Sequence, residues 1–195
     1  MARRIGLLVL ILPLAVAPAA PVPTHLMPKP VPMTFPTEVG TKWVYQKNEL
    51  ILTKTVTAVE VKEKTTIVRI GQALGDAETD PETVEIRPDG WFWTHIGDAA
   101  IEPPLPFLKL PCRSGDVWAI PRDEARRTIR EREQVTVPAG TFEALRVECE
   151  YTGPGGIRRW SNHWYVDGLG EVKLACWDGS EQLLKSFTRG KQPKK

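Results

Sequence analysis

The chain of 195 residues carries 26 Lys+Arg against 24 Asp+Glu, a formal net charge of +2. Nucleic-acid binders concentrate basic charge in one footprint; no such run lies in the part that reads as folded, which excludes nucleic acid as a partner. Three cysteines, Cys112, Cys149 and Cys176, leave an odd thiol under any pairing, and without a CxxC, HxxxH or HExxH spacing the sequence offers no metal site and no cofactor motif.

The N-terminus, MARRIGLLVLILPLAVAPAA, opens on Arg3 and Arg4, continues apolar from Ile5 to Leu14, and ends with Ala17 and Ala19 at the −3 and −1 positions of a cleavage site. This is the pattern of a secretory signal peptide over residues 1–19. As a membrane anchor it is too short and is interrupted by Pro13, whereas a spanning helix needs about 20 apolar residues. The mature chain therefore reads as exported, periplasmic or extracellular, with no stable membrane span after cleavage. Residues 20–34 hold prolines at 21, 23, 28, 30 and 32; fixed φ and missing donors predict a polyproline II tether. At the other end RGKQPKK, residues 189–195, reads as a basic flexible tail.

Residues 35–188 are predicted to form a single domain, long enough to bury roughly 70% of its unfolded surface. It opens with FPTEVGTKWVY (35–45), echoed by LPCRSGDVWAI (110–120). Both read [FL]-P-x-x-x-G-x-x-W, which suggests two β-rich halves with Trp43 and Trp118 as core anchors. The acidic run DAETDPET, with Asp76, Glu78, Asp80 and Glu82, lacks the Gly and distal Glu of a calcium loop and reads as a solvated connection. In TVEIR, Val84 and Ile86 alternate with Glu85 and Arg87, the period of a half-buried antiparallel strand. PDG at 88–90 then predicts a three-residue hairpin loop with Gly in the left-handed position.

WFWTH comes next, placing Trp91, Trp93 and His95 on one face, and IGDAAIEPPLPFLKLP after it reads as a long loop. DEARRTIREREQ (123–134) is built of helix formers, but no apolar stripe appears at helical spacing, so a strand from about 126 into QVTV is favoured. PAG at 138–140 could be a ligand-gripping loop. Phosphate cradles need several glycines and a helix after them, but PAG leads into the alternating FEALRVECEY; it reads as a bend. The end of the domain alternates too: Leu145, Val147, Cys149 and Tyr151 share a face, as do Trp160, Asn162 and Trp164 against Ser161, His163 and Tyr165, and then Val172, Leu174 and Cys176.

The pattern predicts an all-β domain: a strongly curved antiparallel sheet, half-barrel or open barrel, of about 8–11 strands. FPTEVGTKWVY, VTVPAGTFEALRVE and WYVDGLGEVKL together resemble a family of exported bacterial β-proteins of unknown function, the TapB type. The resemblance covers most of residues 35–175. It implies a curved sheet similar to the half-barrels of periplasmic lipoprotein carriers, with no established activity and no catalytic residues to carry over.

If strands 145–151, 159–166 and 171–177 form a meander, Cys149 and Cys176 lie on either side of residue 160. They are then two strand spacings apart, near 9–10 Å, beyond the ~7 Å a disulfide allows; core-facing thiols are expected instead. His95 and His163 would have to meet across the sheet to act as an acid–base pair, and no serine or carboxylate is evidently coupled to them. The chain therefore reads as a non-enzymatic binding or carrier-like module for a small apolar or glycan ligand, held in the concavity by Trp91, Trp93, His95, Trp160 and Trp164. The alternatives are an envelope structural or assembly protein in which those rings fill a solid core and envelope proteins are the partners, and, more remotely, a hydrolase. No catalytic residue is assigned.

Overall fold

The computed structural model describes residues 30–120 and 125–191; the signal peptide, most of the tether and the last four residues of the tail lie outside the described residues. Alternation produces twelve strands: β1 (Lys42–Lys47), β2 (Leu50–Lys62), β3 (Thr65–Leu74), β4 (Ala77–Arg87), β5 (Gly90–Ile96), β6 (Ala99–Lys109), β7 (Val117–Ile120), β8 (Ala125–Val137), β9 (Gly140–Thr152), β10 (Arg158–Val166), β11 (Gly170–Cys176) and β12 (Glu181–Thr188). All join one sheet in the order β6-β5-β4-β3-β2-β1-β12-β11-β10-β9-β8-β7. The chain thus forms two six-stranded meanders, fused where β1 pairs antiparallel with β12.

The sequence echo marks the start of each meander. Gly40 and Gly115 take φ of +85° and +89°, and three residues later Trp43 and Trp118 are buried. Each indole N–H reaches into the opposite meander: Trp43 Nε1 donates to Leu169 O at 2.6 Å and Trp118 Nε1 to Pro106 O at 3.0 Å. These two rings anchor the core and lock the halves together.

The strand count exceeds the expected 8–11 because two stretches read as loops are strands. The acidic run belongs to β4, with Glu78 and Asp80 solvated and Glu82 paired to Lys54 Nζ at 3.0 Å. The proline-rich stretch becomes β6 at the edge of the sheet, the place where a residue that cannot donate to a ladder is tolerated. The ambiguous 123–134 segment is extended from Ala125 onward, as favoured.

Curvature brings the edges β6 and β7 toward each other without joining them in a ladder, giving a nearly closed barrel. Side chains span this seam: besides Trp118, Arg127 Nη1 donates to Phe107 O at 2.8 Å. The β11–β12 ladder is short as well, pairing only Lys173–Ala175 with Leu183–Glu181. Past it, Tyr45 Oη donates to Glu171 O at 2.8 Å, and the Ala139 N–H donates to Leu184 O at 2.9 Å. PAG is therefore a hairpin bend whose tip also docks on β12.

Both Pro-x-Gly hairpins are tighter than expected. Strands β4 and β5 end and begin at Arg87 and Gly90, and β8 and β9 at Val137 and Gly140, so each turn has two residues and Gly opens the next strand. Gly90 sits at φ +154°, and a Cβ there would lie 2.4 Å from Leu108 O. At Gly90 this close approach and the positive φ together demand glycine, whereas at Gly140 the φ of +137° alone does so.

Packing also begins earlier than residue 35. Val31 N–H donates to Cys112 O at 2.8 Å, Met33 is buried, and Thr34 donates through N and Oγ1 to Asp167 Oδ1 at 2.7 and 2.6 Å. At the centre Trp91 is fully enclosed, with Phe35, Phe107 and Tyr165 rings at 5.2, 5.9 and 6.1 Å. The cysteine geometry matches expectation: Ser161 pairs with Cys149 on one side and Cys176 on the other, so two strand spacings separate the thiols.

Candidate functional site

The five side chains proposed from sequence do not converge. Trp91 is core and borders neither of the two cavities described below. Trp93 faces the interior and stacks on Phe107 at 4.6 Å. His95 does not share its face: Thr83 pairs with His95 but Val84 with Trp93, so Thr94 is an extra residue. Such a bulge reverses the facing of everything beyond it, and His95 joins Thr57, Arg69 and Glu85 in an outer groove. Trp160 and Trp164 lie on the face opposite Ser161, His163 and Tyr165, outside the barrel. Trp164 is covered there, its Nε1 donating to Glu133 Oε1 at 2.6 Å with Lys173 Nζ over the ring at 5.3 Å, while Trp160 is exposed.

The side chains that do converge lie on the other face of β10. A bulge in the β10–β11 ladder pairs Trp164 with Lys173 but Tyr165 with Glu171. Strict alternation from Lys173 would leave Glu171 on the outer, charged face; the extra residue turns it inward. There Glu171 Oε1 meets His163 Nδ1 at 2.6 Å, and Oε2 accepts from Gln182 Nε2 at 3.3 Å. The other ring nitrogen, His163 Nε2, lies 3.0 Å from Ser161 Oγ. Serine and histidine are spaced i, i+2 on one strand, so they project side by side. A serine and a carboxylate are thus coupled to His163, contrary to the expectation from sequence. His95, outside the barrel, has no part in it. The Ser-x-His spacing was legible in WSNHWYV; the bulge that supplies Glu171 was not.

Burial alone pushes the Glu171 carboxyl upward, but the His163 hydrogen bond and the positive charges of Lys54 and Arg127 outweigh it and hold the group below the usual carboxylate value. Burial, with Glu171 adding to it, pushes the Tyr45 and Tyr165 hydroxyls well above theirs, so both remain neutral. Arg127, itself buried, has its Nε without a partner and its guanidinium 5.8 Å from the Trp93 ring.

Two cavities meet these groups. A small inner one of about 60 Å³ is bordered by Tyr45, the Lys54–Glu82 pair, Trp93, Tyr165 and Glu171, room for a few waters. A larger one of about 670 Å³ lies at the seam, with Trp93, Leu105, Ile120 and Tyr151 as apolar wall and Arg127, Ser161 and His163 as polar end. Among the described residues no group of three or more His, Cys, Asp or Glu could hold a metal ion, and no helix is long and apolar enough to cross a membrane.

No protein-family model matches the chain, and no curated protein matches it in sequence. The fold does have solved counterparts. A candidate exported protein of Bacteroides fragilis with a YmcC-like fold superposes with a TM-score of 0.56 at 17% identity, covering 80% of this chain and 99% of its own. A candidate lipoprotein of Parabacteroides distasonis gives a TM-score of 0.52 at 15% identity, covering 79% and 97%. At these identities the likeness is one of fold and gives the TapB-type resemblance no further support; what this chain is similar to is the barrel of those two proteins.

Proposed function

We propose that this chain is an exported binding or carrier-like module that holds a small ligand in the seam cavity. The observation that carries the reading is that cavity, about 670 Å³, within the range of roughly 300–1,000 Å³ typical of ligand pockets. Its wall of Trp93, Leu105, Ile120 and Tyr151 suits an apolar body, an acyl-like chain or the apolar face of a sugar ring. Arg127, Ser161 and His163 suit a polar end. Export is supported by the signal-peptide pattern at residues 1–19 and by the descriptions of the two fold neighbours as a candidate exported protein and a candidate lipoprotein.

Native mass spectrometry of the mature protein is expected to find a co-purified small molecule. Titration with N-phenyl-1-naphthylamine is expected to saturate at one site. Leu105→Arg, which places a charge in the apolar wall, should weaken that binding by about tenfold or more (~1.4 kcal/mol) with the fold retained. Equal affinity in the variant, or no saturable binding at all, would overturn the reading. The second reading, an envelope assembly role, draws on Trp160 and Trp177, each exposed by 43% and brought together by the Trp177 N–H donating to Trp160 O at 3.0 Å; exposed apolar clusters mark partner contacts.

A further inference from the structure

We infer that Ser161 is a nucleophile for acyl transfer, activated by His163 and oriented by Glu171, on esters whose apolar acyl group occupies the seam cavity. The inference rests on the proposed ligand site and adds a reaction to it.

The geometry is a linear relay. An ionised carboxylate can only accept hydrogen bonds, so the 2.6 Å contact between Glu171 Oε1 and His163 places the ring proton on Nδ1. When the ring carries that one proton, Nε2 offers its lone pair to the Ser161 hydroxyl at 3.0 Å, inside the ~2.6–3.2 Å reach of a general base. Nucleophile, base and orienting group in this order form the arrangement that activates serine on unrelated folds.

Access distinguishes this relay from a merely structural hydrogen-bond chain. Glu171 faces the small inner cavity, whereas Ser161 and His163 both border the 670 Å³ one, so a carbonyl can approach Oγ from the side away from Glu171. A donor for the developing oxyanion borders the same cavity. Arg127 pairs with Cys149, which pairs with Ser161, so the cation sits two strands from the nucleophile with its Nε–H unpartnered. A fixed positive group bordering the cavity is the kind of donor that stabilises a tetrahedral intermediate.

The steps balance. Ser161 Oγ bonds to the ester carbonyl carbon while its proton passes to His163 Nε2, and the carbonyl electron pair moves onto the oxygen beside Arg127. Collapse breaks the C–O bond to the alcohol, which leaves with the proton from Nε2. Water, deprotonated by the same nitrogen, then cleaves the acyl-serine, releasing the acid and restoring the hydroxyl. Glu171 takes no proton; it is a positioning residue.

The test uses the mature protein, a rhodamine-linked fluorophosphonate and 4-nitrophenyl octanoate. One phosphonyl adduct is expected, mapped by peptide mass spectrometry of the wild type to Ser161, so this arm does not depend on a variant folding. Ester hydrolysis should fall to background in Ser161→Ala and by about 10²-fold or more in His163→Gln, and should be unchanged in Ser186→Ala on the solvated stretch of β12. No adduct on folded wild type, an adduct mapping elsewhere, or undiminished hydrolysis in Ser161→Ala overturns the inference. N-phenyl-1-naphthylamine binding measured on the same samples separates its failure from that of the binding site: retained binding without an adduct removes only the chemistry.

Discussion

Replacing Glu171 by Gln should lower stability at neutral pH by about 2 kcal/mol. The carboxylate accepts from His163 at 2.6 Å and from Gln182 at 3.3 Å, and hydrogen bonds to a charged group contribute about 1.5–3 kcal/mol. Leaving a buried polar partner unsatisfied costs about 1–3 kcal/mol, and 22% of the Glu171 side chain is open to the inner cavity, which keeps the loss near the middle of that range. In a domain of this size 1 kcal/mol moves Tm by about 2–4 °C, so the variant should melt about 4–8 °C lower at pH 7. The direction of the pKa shift sets the sign with pH. The folded carboxyl titrates below its ordinary value of 4.5, so its contribution is complete above that value and is lost as pH falls through the lowered folded value. The Tm gap between wild type and variant should therefore be constant from pH 7 down to about 5 and shrink on further acidification. Calorimetric melts across that range check it. A Tm at pH 7 equal to wild type, or a gap that widens in acid, would refute the picture of an ionised Glu171 held by its neighbours.

Two further outcomes test the placement of side chains. Trp91→Ala empties the centre of the core and should cost about 3–5 kcal/mol in urea unfolding, while Trp160→Ala, on the exposed outer face, should stay within about 0.5 kcal/mol; similar losses in both would contradict the assignment of faces. Burial, reinforced by Asp116, pushes the Cys112 thiol up to about 12, so at pH 8 a thiol reagent should modify the half-buried Cys176 in the native state and Cys112 only after unfolding, and mass mapping that finds native Cys112 labelled as fast as Cys176 would reject the burial.

Side-chain period and punctuation are local properties, and the sequence carried them openly. The alternation in TVEIR and LRVECEY, the two Gly-x-x-Trp openings, the PAG bend and the distance between Cys149 and Cys176 all stem from which way neighbouring residues point along an extended chain. Proline and acidic composition misled at β6 and β4, because an edge strand accepts prolines and a solvated outer face accepts carboxylates, and neither preference is visible before the strand order is known. The site depended on events of a different kind. One extra residue at Thr94 carries His95 out of the barrel, and one at Val172 carries Glu171 in. A bulge is a mismatch between two strands, so neither strand records it alone. Trp91 and Trp93 could be assigned to one face from the sequence, but only closure of the sheet toward β6 and β7 decided that the first is enclosed and the second borders a cavity. The sequence by itself determined an alternating, antiparallel β-domain with two like halves. The tertiary structure decided where its few mismatched pairs fall, and through them that serine, histidine and glutamate, rather than the tryptophans, come together at the seam.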